Sequence, residues 1–482
     1  MGQQALIGID LGTTGVKVGV CSPEGKLLGL AGTHYPMEHP SPGAAEQDPA
    51  AWWAAIVDST RRALAGLDVE VAAITVAGQG PTLVATDSAG TPLRPAICWM
   101  DTRAHQHQTE LSESLELDGF LLGNLPKIAW LTEVEPSRAA DTHWFMSAWD
   151  YVTMKLAGAA VTSMPSTGSQ ATPEMADAAG LDSRQIPEPV PWGTVVGTLT
   201  ASVAKELGLP AKCRVISGAN DALASYAGSG VTSAGQSINN SGTSGGFAVY
   251  WHDETRIPDV YSIPAIVPGL RLFGGAMSAT GLSLEWLRRV AGPELSIPAL
   301  LAEAATAPPG ADGLVYLPYL VGERSPLWDA DARAAYVGLD ASHTRGHLAR
   351  AVLEAAGYAI RHVAEPIVAA GVVVGEMRPC GGGAKSDLWN QIKADTTGFP
   401  VAVPEAAETA VLGAGILGSI GIGYRADLED AMTAMVRVRR RYEPDAEAAE
   451  RHDALYSVYR SLYPALQADF SHLAAYRTRG GS

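Results

Sequence analysis

The stretch LIGIDLGTTGVKVGV, residues 6–20, determines what kind of fold this chain is expected to adopt. Apolar residues lie on both sides of a Gly-Thr-Thr-Gly turn, which predicts a tight hairpin of two strands with Asp10 at the end of the first. Glycine permits close approach, so the backbone of Gly12, Thr13 and Thr14 can contact phosphate oxygens. The Asp10 carboxylate suits Mg²⁺, which proteins commonly share with phosphates. The stretch predicts a nucleotide-phosphate hairpin, although an ordinary hairpin turn has the same pattern.

The same plan recurs about half a chain length later, in SINNSGTSGGFAVY, residues 237–250. Here Gly242 and Thr243 occupy the turn between two apolar runs. At 482 residues the chain also exceeds what one hydrophobic core usually supports. We therefore expect a duplicated α/β fold with a nucleotide between its halves. The expected domains are residues 1–235 and residues 236–482, the second ending in a helical segment at about 442–478.

Composition and charge exclude several classes of function. The hydrophobic content of 47% and charged content of 18% are those of a soluble globular protein. The formal net charge of −17 disfavours a nucleic-acid partner, because phosphate neutralisation needs clustered Lys and Arg. The four cysteines are scattered, which disfavours a zinc site or a disulfide framework and fits a reducing compartment. With no secretory signal and no apolar run long enough to span a bilayer, we expect a cytoplasmic protein without a membrane partner.

An aromatic and two charged residues close the apolar run PAICWMDTR, residues 95–103. Trp99 offers a flat face for the carbons of a sugar or polyol, and Asp101 and Arg103 offer groups for its hydroxyls. The alternative is that the tryptophan closes the core and the two charged residues form a structural ion pair.

Two further patterns carry chemistry. CRVISGAND, residues 213–221, is predicted to be a second strand ending in a carboxylate, Asp221, shortly before the second hairpin. RPCGGGA, residues 378–384, predicts a strand and a glycine loop, and Ser386 is then expected to cap a helix that Gly398 ends. A glycine loop that opens a helix has room and free N–H donors for a base or ribose.

Other motif matches fit their context poorly. Residues 242–246 satisfy the G-x-S-x-G pattern of serine hydrolases, but a strand rather than a helix is expected to follow. Residues 413–418 satisfy G-x-G-x-x-G, but no clear strand precedes them, so close helix packing is the expected use of the small residues. The segment 384–386 lacks the glycine that a Walker A loop requires before its lysine.

With both hairpins, the second carboxylate and the glycine loop, the chain resembles the FGGY carbohydrate kinases nearly end to end. PKIAWL, residues 126–131, is similar to part of the family's N-terminal signature. Within the family, EQDP at 46–49, LPYL at 317–320 and YEPD at 442–445 look most like xylulokinases. The resemblance implies two duplicated actin-like (ribonuclease H-like) domains with an ATP and sugar cleft between them.

The resemblance also implies roles for individual residues. Asp221 would be the catalytic base, and Asp10 would lie near Mg²⁺. The residues expected to contact ATP are Gly12, Thr13, Thr14, Lys17, Gly242, Thr243, Gly281, Gly382, Gly383, Ala384 and Asn390. The residues expected to contact the sugar are Gln79, Gly80, Pro81, Trp99, Asp101, Arg103 and Asp221.

The sugar side departs from the xylulokinase pattern at two places. Gly80 and Pro81 stand where Met-His is usual, and Ala222 replaces the Asn or Gln that commonly follows the base. We expect phosphorylation of a sugar or polyol hydroxyl such as that of D-xylulose, with ATP and Mg²⁺ as cofactors. A homodimer is a possible assembly. The alternatives are another acceptor (a gluconate-like acid, ribulose or a tetritol), an actin-like ATPase switch, or a sugar-binding regulator without catalysis.

Overall fold

A computed structural model describes residues 2–117, 121–164, 172–252, 257, 260–292 and 294–479. The strands are β1 (Gln3–Leu11), β2 (Gly15–Cys21), β3 (Leu27–His34), β4 (Glu46–Gln47), β5 (Val69–Gly78), β6 (Leu83–Thr86), β7 (Ala96–Ile97), β8 (Trp144–Ser147), β9 (Thr162–Met164), β10 (Pro189–Pro191), β11 (Val195–Thr198), β12 (Arg214–Asn220), β13 (Gln236–Ser241), β14 (Gly245–Trp251), β15 (Tyr261–Pro264), β16 (Arg271–Met277), β17 (Val315–Leu317), β18 (Ala335–Val337), β19 (Glu376–Cys380), β20 (Val401–Pro404) and β21 (Val438–Tyr442). The helices are α1 (Pro49–Leu64), α2 (His105–Leu115), α3 (Leu125–Val134), α4 (Pro136–Asp141), α5 (Ala148–Ala157), α6 (Pro173–Ala178), α7 (Ala201–Leu207), α8 (Asp221–Ser229), α9 (Thr280–Ala291), α10 (Ile297–Ala304), α11 (Arg345–Ala369), α12 (Asp387–Thr397), α13 (Thr409–Gly421), α14 (Leu428–Met435) and α15 (Ala446–Arg479).

The chain divides into two compact units. The first unit contains Met1–Gly230 together with Glu408–Val436, and the second contains Val231–Ala407 together with Arg437–Ser482. The segment that carries α13 and α14 therefore packs with the first unit, although it follows most of the second in sequence.

The first unit is built on a six-stranded sheet with the order β11-β12-β5-β1-β2-β3. β1 pairs antiparallel with β2, and β2 pairs antiparallel with β3. β5 pairs parallel with both β1 and β12. Leu6, Ile7 and Ile9 of β1 are almost completely buried, as expected for a central strand that is covered on both faces.

The second unit repeats this arrangement. Its seven-stranded sheet has the order β15-β16-β14-β13-β19-β20-β21. β13 pairs antiparallel with β14, which pairs antiparallel with β16, while β13 pairs parallel with β19 and β19 pairs parallel with β20. The six strands of the first sheet thus have the same order and pairing directions as the six strands from β16 to β21 of the second sheet. The duplicated α/β fold that the two hairpins predict is confirmed, and its strand order agrees with the ribonuclease H-like resemblance.

Local sequence signals place several helix ends. The Asp48 carboxylate caps α1 by accepting a hydrogen bond from Ala50 N at 2.8 Å, and Pro49 occupies the first turn. Ser386 caps α12 by accepting from Trp389 N at 3.2 Å, and Gly398 ends that helix with a φ of 73°.

The G-x-G-x-x-G match at residues 413–418 lies inside α13, so it is not a dinucleotide loop. A Cβ added to Gly413 would lie 1.8 Å from the Ala224 carbonyl oxygen, and one added to Gly228 would lie 1.9 Å from the Thr409 carbonyl oxygen. The predicted use of small residues for close packing, here of α13 against α8, is confirmed. None of the helices in the described part of the chain has the length and apolar character needed to cross a membrane.

Candidate functional site

Parallel pairing in the first unit brings Asp10 and Asp221 to the same edge of the sheet. Asp10 of β1 is in register with Ala77 of β5, and Asn220 of β12 is in register with Gly78 of β5. Asp221 follows directly and begins α8. Because the carboxyl ends of parallel strands lie at one edge, residues from β1, β5 and β12 gather where open α/β sheets usually bind ligands.

The two carboxylates lie in an unfavourable environment for negative charge. Burial raises the pKa of Asp10 to about 6, with Lys17 lowering it and Glu408 raising it to a smaller extent. Burial also raises the pKa of Asp221 to about 7, and the charge of Asp10 raises it further. Two partly buried carboxylates that repel each other fit a hard divalent cation. No cluster of three or more His, Cys, Asp or Glu occurs among the described residues, so a cation here would depend on phosphate and water for its remaining ligands.

Asp221 keeps one carboxylate oxygen available. Its Oδ1 accepts a hydrogen bond from Ala222 N at 2.7 Å, and the Asn220 side chain accepts from the same N–H at 2.9 Å and caps α8. Within the described chain, no other residue donates a hydrogen bond to Oδ2 of Asp221, although the backbone N–H of Asp221 itself interacts with the carboxylate and lowers its pKa. With a pKa near neutral and a free oxygen, this side chain has the properties of a general base.

The first hairpin turn is held by side chains from outside it. Tyr35 donates a hydrogen bond from its hydroxyl to Gly12 O at 2.5 Å, and Gln47 Nε2 donates to Thr13 O at 2.7 Å. Trp99 Nε1 donates to Thr13 Oγ1 at 2.9 Å. The structure thus brings Gly12, Thr13 and the half-exposed Trp99 together.

Thr14 lies in the turn of the same hairpin, and Lys17 lies in its second strand, β2. Lys17 is in register with Asp10, and its Nζ lies 2.6 Å from Glu408 Oε2. The Thr14 carbonyl oxygen accepts a hydrogen bond from Tyr35 N at 3.3 Å. Glu408, from the segment that rejoins the first unit, is a neighbour of this turn that sequence spacing gave no means to find.

Gln79, Gly80 and Pro81 follow β5. Gln79 is completely buried, and its Nε2 donates to Gln47 Oε1 at 2.6 Å, while its own Oε1 has no partner in the described structure. A Cβ on Gly80 would lie 2.7 Å from the Trp149 ring, so a larger residue would force that ring to move. The Pro81 carbonyl oxygen accepts a hydrogen bond from Lys127 Nζ at 3.0 Å.

Asp101 and Arg103 are engaged with each other and with neighbouring groups. Arg103 Nη2 lies 2.7 Å from Asp101 Oδ2 and 2.5 Å from Glu46 Oε1, and its guanidinium carbon lies 4.5 Å from the centre of the Trp130 ring. Burial opposes ionisation of Asp101, but hydrogen bonds from Arg103 and from the backbone of Ala45 and Arg103 hold its pKa below the ordinary value. This geometry matches the structural ion pair considered as the alternative, with Trp99 the exposed member of the group.

The second unit brings its own turn against α9. Gly281 N donates to Gly242 O at 3.1 Å, and Leu282 N donates to Thr243 O at 2.9 Å. A Cβ at position 281 would lie 2.4 Å from Gly242 O, so this approach requires glycine. The structure therefore brings together Gly242, Thr243 and Gly281.

The glycine loop lies beside the same turn. A Cβ on Gly383 would lie 2.7 Å from Ser241 Cβ, whereas one on Gly382 would meet no atom within 4 Å. Asn390 is completely buried and donates from Nδ2 to Ala384 O at 2.8 Å, while its Oδ1 has no partner among the residues described. Asn390 thus stabilises the loop from the interior of the second unit. Gly382 lies on the side of the loop where a Cβ would meet no other atom.

Sequence reasoning missed three polar residues that shape these turns. Tyr35 and Gln47 hold the first turn, and Lys393 is buried under the second. Gln47 lies in a quoted motif, but nothing in that motif indicates its contact with Thr13. Lys393 lies one turn after Trp389 in an amphipathic helix, where an exposed lysine is the ordinary expectation.

Comparison with known proteins agrees with this arrangement. The FGGY carbohydrate kinase N-terminal domain matches residues 5–228, and the C-terminal domain of the same family matches residues 238–422. The chain is 30% identical to "Xylulose kinase" of Bacillus subtilis over 95% of this chain and 96% of that protein. It is 27% identical to "Gluconokinase" of Bacillus subtilis over 98% of each chain. The solved structure of xylulose kinase from Rhodospirillum rubrum superimposes with a TM-score of 0.81, at 31% identity, over 97% of this chain and 100% of that one.

Proposed function

Because the chain belongs to the FGGY family of carbohydrate kinases, which transfer phosphate from ATP, we propose that it phosphorylates a hydroxyl of a ketopentose, with D-xylulose as the first acceptor to test. The observation that carries the chemistry is the pair of partly buried carboxylates, Asp10 and Asp221, at the carboxyl edge of the first sheet. The choice of acceptor is supported by the xylulose kinases among the relatives.

We assign the role of base to Asp221. Its free Oδ2 accepts the proton of the acceptor hydroxyl while the hydroxyl oxygen forms a bond to the γ-phosphorus of ATP. The bond from that phosphorus to the β,γ-bridging oxygen breaks at the same time, and ADP leaves with the electron pair. The transition state of such a transfer is loose, so alignment of the oxygen contributes more than its activation.

Asp10 is the residue that would hold Mg²⁺. This role is supported by its raised pKa and its position beside Asp221, since a cation would offset the repulsion between the two carboxylates. When bound, the metal ion would neutralise charge on the phosphates of ATP. The Asp10 carboxylate would serve as an oxygen ligand, and it is in register with Lys17, whose ammonium pairs with Glu408 at 2.6 Å and lowers the pKa of Asp10.

The two turns are proposed to bind nucleotide through backbone N–H groups. In the first unit these belong to Thr13 and Thr14, together with the Lys17 ammonium, whereas the N–H of Gly12 donates to Gly15 O at 3.1 Å and Gly12 is proposed to let a phosphate approach the turn closely. In the second unit they belong to Gly242 and Thr243, whereas the N–H of Gly281 donates to Gly242 O at 3.1 Å, so Gly281 is proposed to hold the turn against α9. The glycine loop at 382–384, supported by Asn390, is proposed to receive the adenosine.

Two positions on the acceptor side, Gly80 and Ala222, lack polar side-chain atoms. Gly80 is packed against Trp149 and Ala222 has only a methyl group, so neither supplies a side-chain hydrogen bond to a sugar. Polar contacts to an acceptor would come from Asp221 and from the backbone around Pro81, while the exposed Trp99, whose indole N–H donates to Thr13 Oγ1, would offer the face of its ring. A second candidate acceptor is a gluconate-like acid, which the gluconokinase among the relatives supports.

A panel of acceptors tests the proposal. ATP consumption is measured at equal concentrations of D-xylulose, D-ribulose, D-gluconate and erythritol, and without acceptor. We expect the highest kcat/KM with D-xylulose and at least about tenfold less with the others, a difference of about 1.4 kcal/mol in transition-state binding. Preference for D-gluconate would establish the second candidate. Equal ATP hydrolysis in every sample would refute the kinase and favour an ATPase switch.

The proposal also covers the cellular compartment and the oligomeric state of the protein. All four cysteines are buried and none forms a disulfide, which supports a location in a reducing compartment such as the cytoplasm. A homodimer stays a prediction, to be tested by measuring the mass of the native protein in solution.

A further inference from the structure

Lys393 of α12 is a lysine placed almost wholly inside the second unit, with an exposed fraction of 1%. Lysines are rarely fully buried, because removal of an ammonium from water is costly unless it is paired. In the described part of the chain, no carboxylate lies within ion-pair distance of its Nζ, and its one hydrogen bond goes to Ser241 Oγ at 2.7 Å. The remaining contact is with the Trp389 ring, whose centre is 5.1 Å from Nζ.

This lysine begins a chain of hydrogen bonds that runs through the second hairpin. Ser241 Oγ accepts from Lys393 and donates to Asn239 Oδ1 at 2.6 Å. Asn239 Nδ2 in turn donates to Gly246 O at 3.0 Å. Ser241 is the last residue of β13 and Gly246 lies near the start of β14, so the chain links both strands that flank the turn at Gly242 and Thr243.

We propose that Lys393 is a positioning residue for the nucleotide phosphates, which fixes the Gly242–Thr243 turn through Ser241 and supplies positive charge beneath it. This inference rests on the proposed binding of ATP at that turn. An unpaired buried cation is electrostatically expensive in the empty protein, and an anion bound at the turn would offset that cost. The buried Lys393 ammonium thus increases the affinity of the Gly242–Thr243 turn for phosphate, although the ammonium itself is not exposed to solvent.

The charged groups around Lys393 are consistent with this role. Burial lowers the pKa of Lys393 to about 7, and the Cys380 thiol of β19 is the neighbouring titratable group that acts to raise it. On α11, Glu354 pairs with Arg350, so it does not neutralise the lysine. On α12 itself, Asp395 accepts from Gln391 and from Asp445 N. A bound phosphate would favour the protonated lysine, so nucleotide affinity should fall as pH rises above about 7.

Calorimetric titration with ATP and with adenosine separates this role from a merely structural one. Lys393→Met replaces the ammonium by an apolar group of similar length and, through release of a buried charge, should raise the melting temperature. It should weaken ATP binding by about tenfold and leave adenosine binding within about twofold, because only ATP carries phosphates. Ser241→Ala, which removes the hydrogen-bond acceptor, should shift the ratio of ATP to adenosine affinity in the same direction. Lys205→Met removes an exposed lysine of the first unit and serves as the charge-matched control.

The pH dependence gives a second readout. Between pH 6 and pH 9 the wild-type affinity for ATP should fall, whereas that of Lys393→Met should change less and adenosine affinity should stay constant. An unchanged ratio of ATP to adenosine affinity in Lys393→Met would overturn the inference while leaving the kinase proposal intact. If the wild-type protein binds neither ligand, the proposed nucleotide site itself is wrong.

Discussion

Replacement of Asp221 by asparagine should remove most of the catalytic activity and should also stabilise the folded protein. Asparagine has nearly the same shape but cannot take a proton, so turnover should fall roughly 10²- to 10⁴-fold, which is about 3–5 kcal/mol in activation free energy. The folded protein raises the pKa of Asp221 from the ordinary value near 4 to about 7. At about 1.4 kcal/mol per pKa unit, the ionised side chain costs up to about 4 kcal/mol of stability above neutral pH.

The sign of the stability change depends on pH. Below about pH 4 the carboxyl is protonated in both folded and unfolded chains, so it costs nothing. As pH rises toward about 7 the unfolded chain releases the proton more readily than the folded one, and wild-type stability falls. Asparagine escapes this loss but stays a partly buried polar group, so we expect a gain of about 1–3 kcal/mol at pH 7.5 and almost none at pH 4.

Two assays on the same preparations check this prediction. Coupled measurement of ADP release with D-xylulose gives kcat, and urea unfolding at pH 4 and pH 7.5 gives the free energy of unfolding. Asp177→Asn, at an exposed aspartate of the first unit, is the matched control and should change neither quantity. Turnover of Asp221→Asn within threefold of wild type would remove Asp221 from the mechanism. A variant less stable than wild type at pH 7.5 would refute the electrostatic reasoning.

Three further predictions concern the same sites. Asp10→Asn should raise the Mg²⁺ concentration needed for half-maximal activity by about tenfold or more, since it removes the proposed protein ligand; an unchanged Mg²⁺ titration would exclude that role. Gly281→Ala should raise KM for ATP and cost about 1–3 kcal/mol of stability, because its Cβ would lie 2.4 Å from Gly242 O, and normal values of both would show that the turn is more adaptable than its geometry indicates. In the wild type, kcat/KM for the acceptor should rise with pH with an apparent pKa of about 7 that belongs to the Asp10 and Asp221 pair, whereas a flat profile from pH 5.5 to pH 8 would contradict a carboxylate base.

The sequence predicts the frame of the two sheets well because it is encoded locally. Both hairpins combine apolar alternation with a glycine turn, and Asp48 and Ser386 cap helices through bonds to backbone groups two or three residues away. The strand expected to end at Asp221 ends one residue earlier, at Asn220, and the Asn220 side chain caps α8 through a backbone N–H two residues away. Features of this kind need no information about the rest of the chain.

What the sequence does not predict depends on contacts between distant residues. Arg103 pairs with Glu46, and Lys17 with Glu408, across separations that no spacing rule addresses. The return of residues 408–436 to the first unit is a property of packing, in which glycines of α13 fit against α8. The burial of Lys393 is not predicted for a similar reason. It depends on which elements pack against α12, and the local sequence does not specify them.

Quantitative ³¹P NMR tests the central claim most directly. Wild-type protein and Asp221→Asn are each incubated with ATP, Mg²⁺ and the preferred acceptor of the panel, and all phosphorus species are followed together. We predict that the wild type forms one new phosphomonoester for each ADP with little inorganic phosphate, and that Asp221→Asn forms neither at a comparable rate. Inorganic phosphate as the main product of the wild type, or phosphomonoester formed by Asp221→Asn at the wild-type rate, would contradict the account.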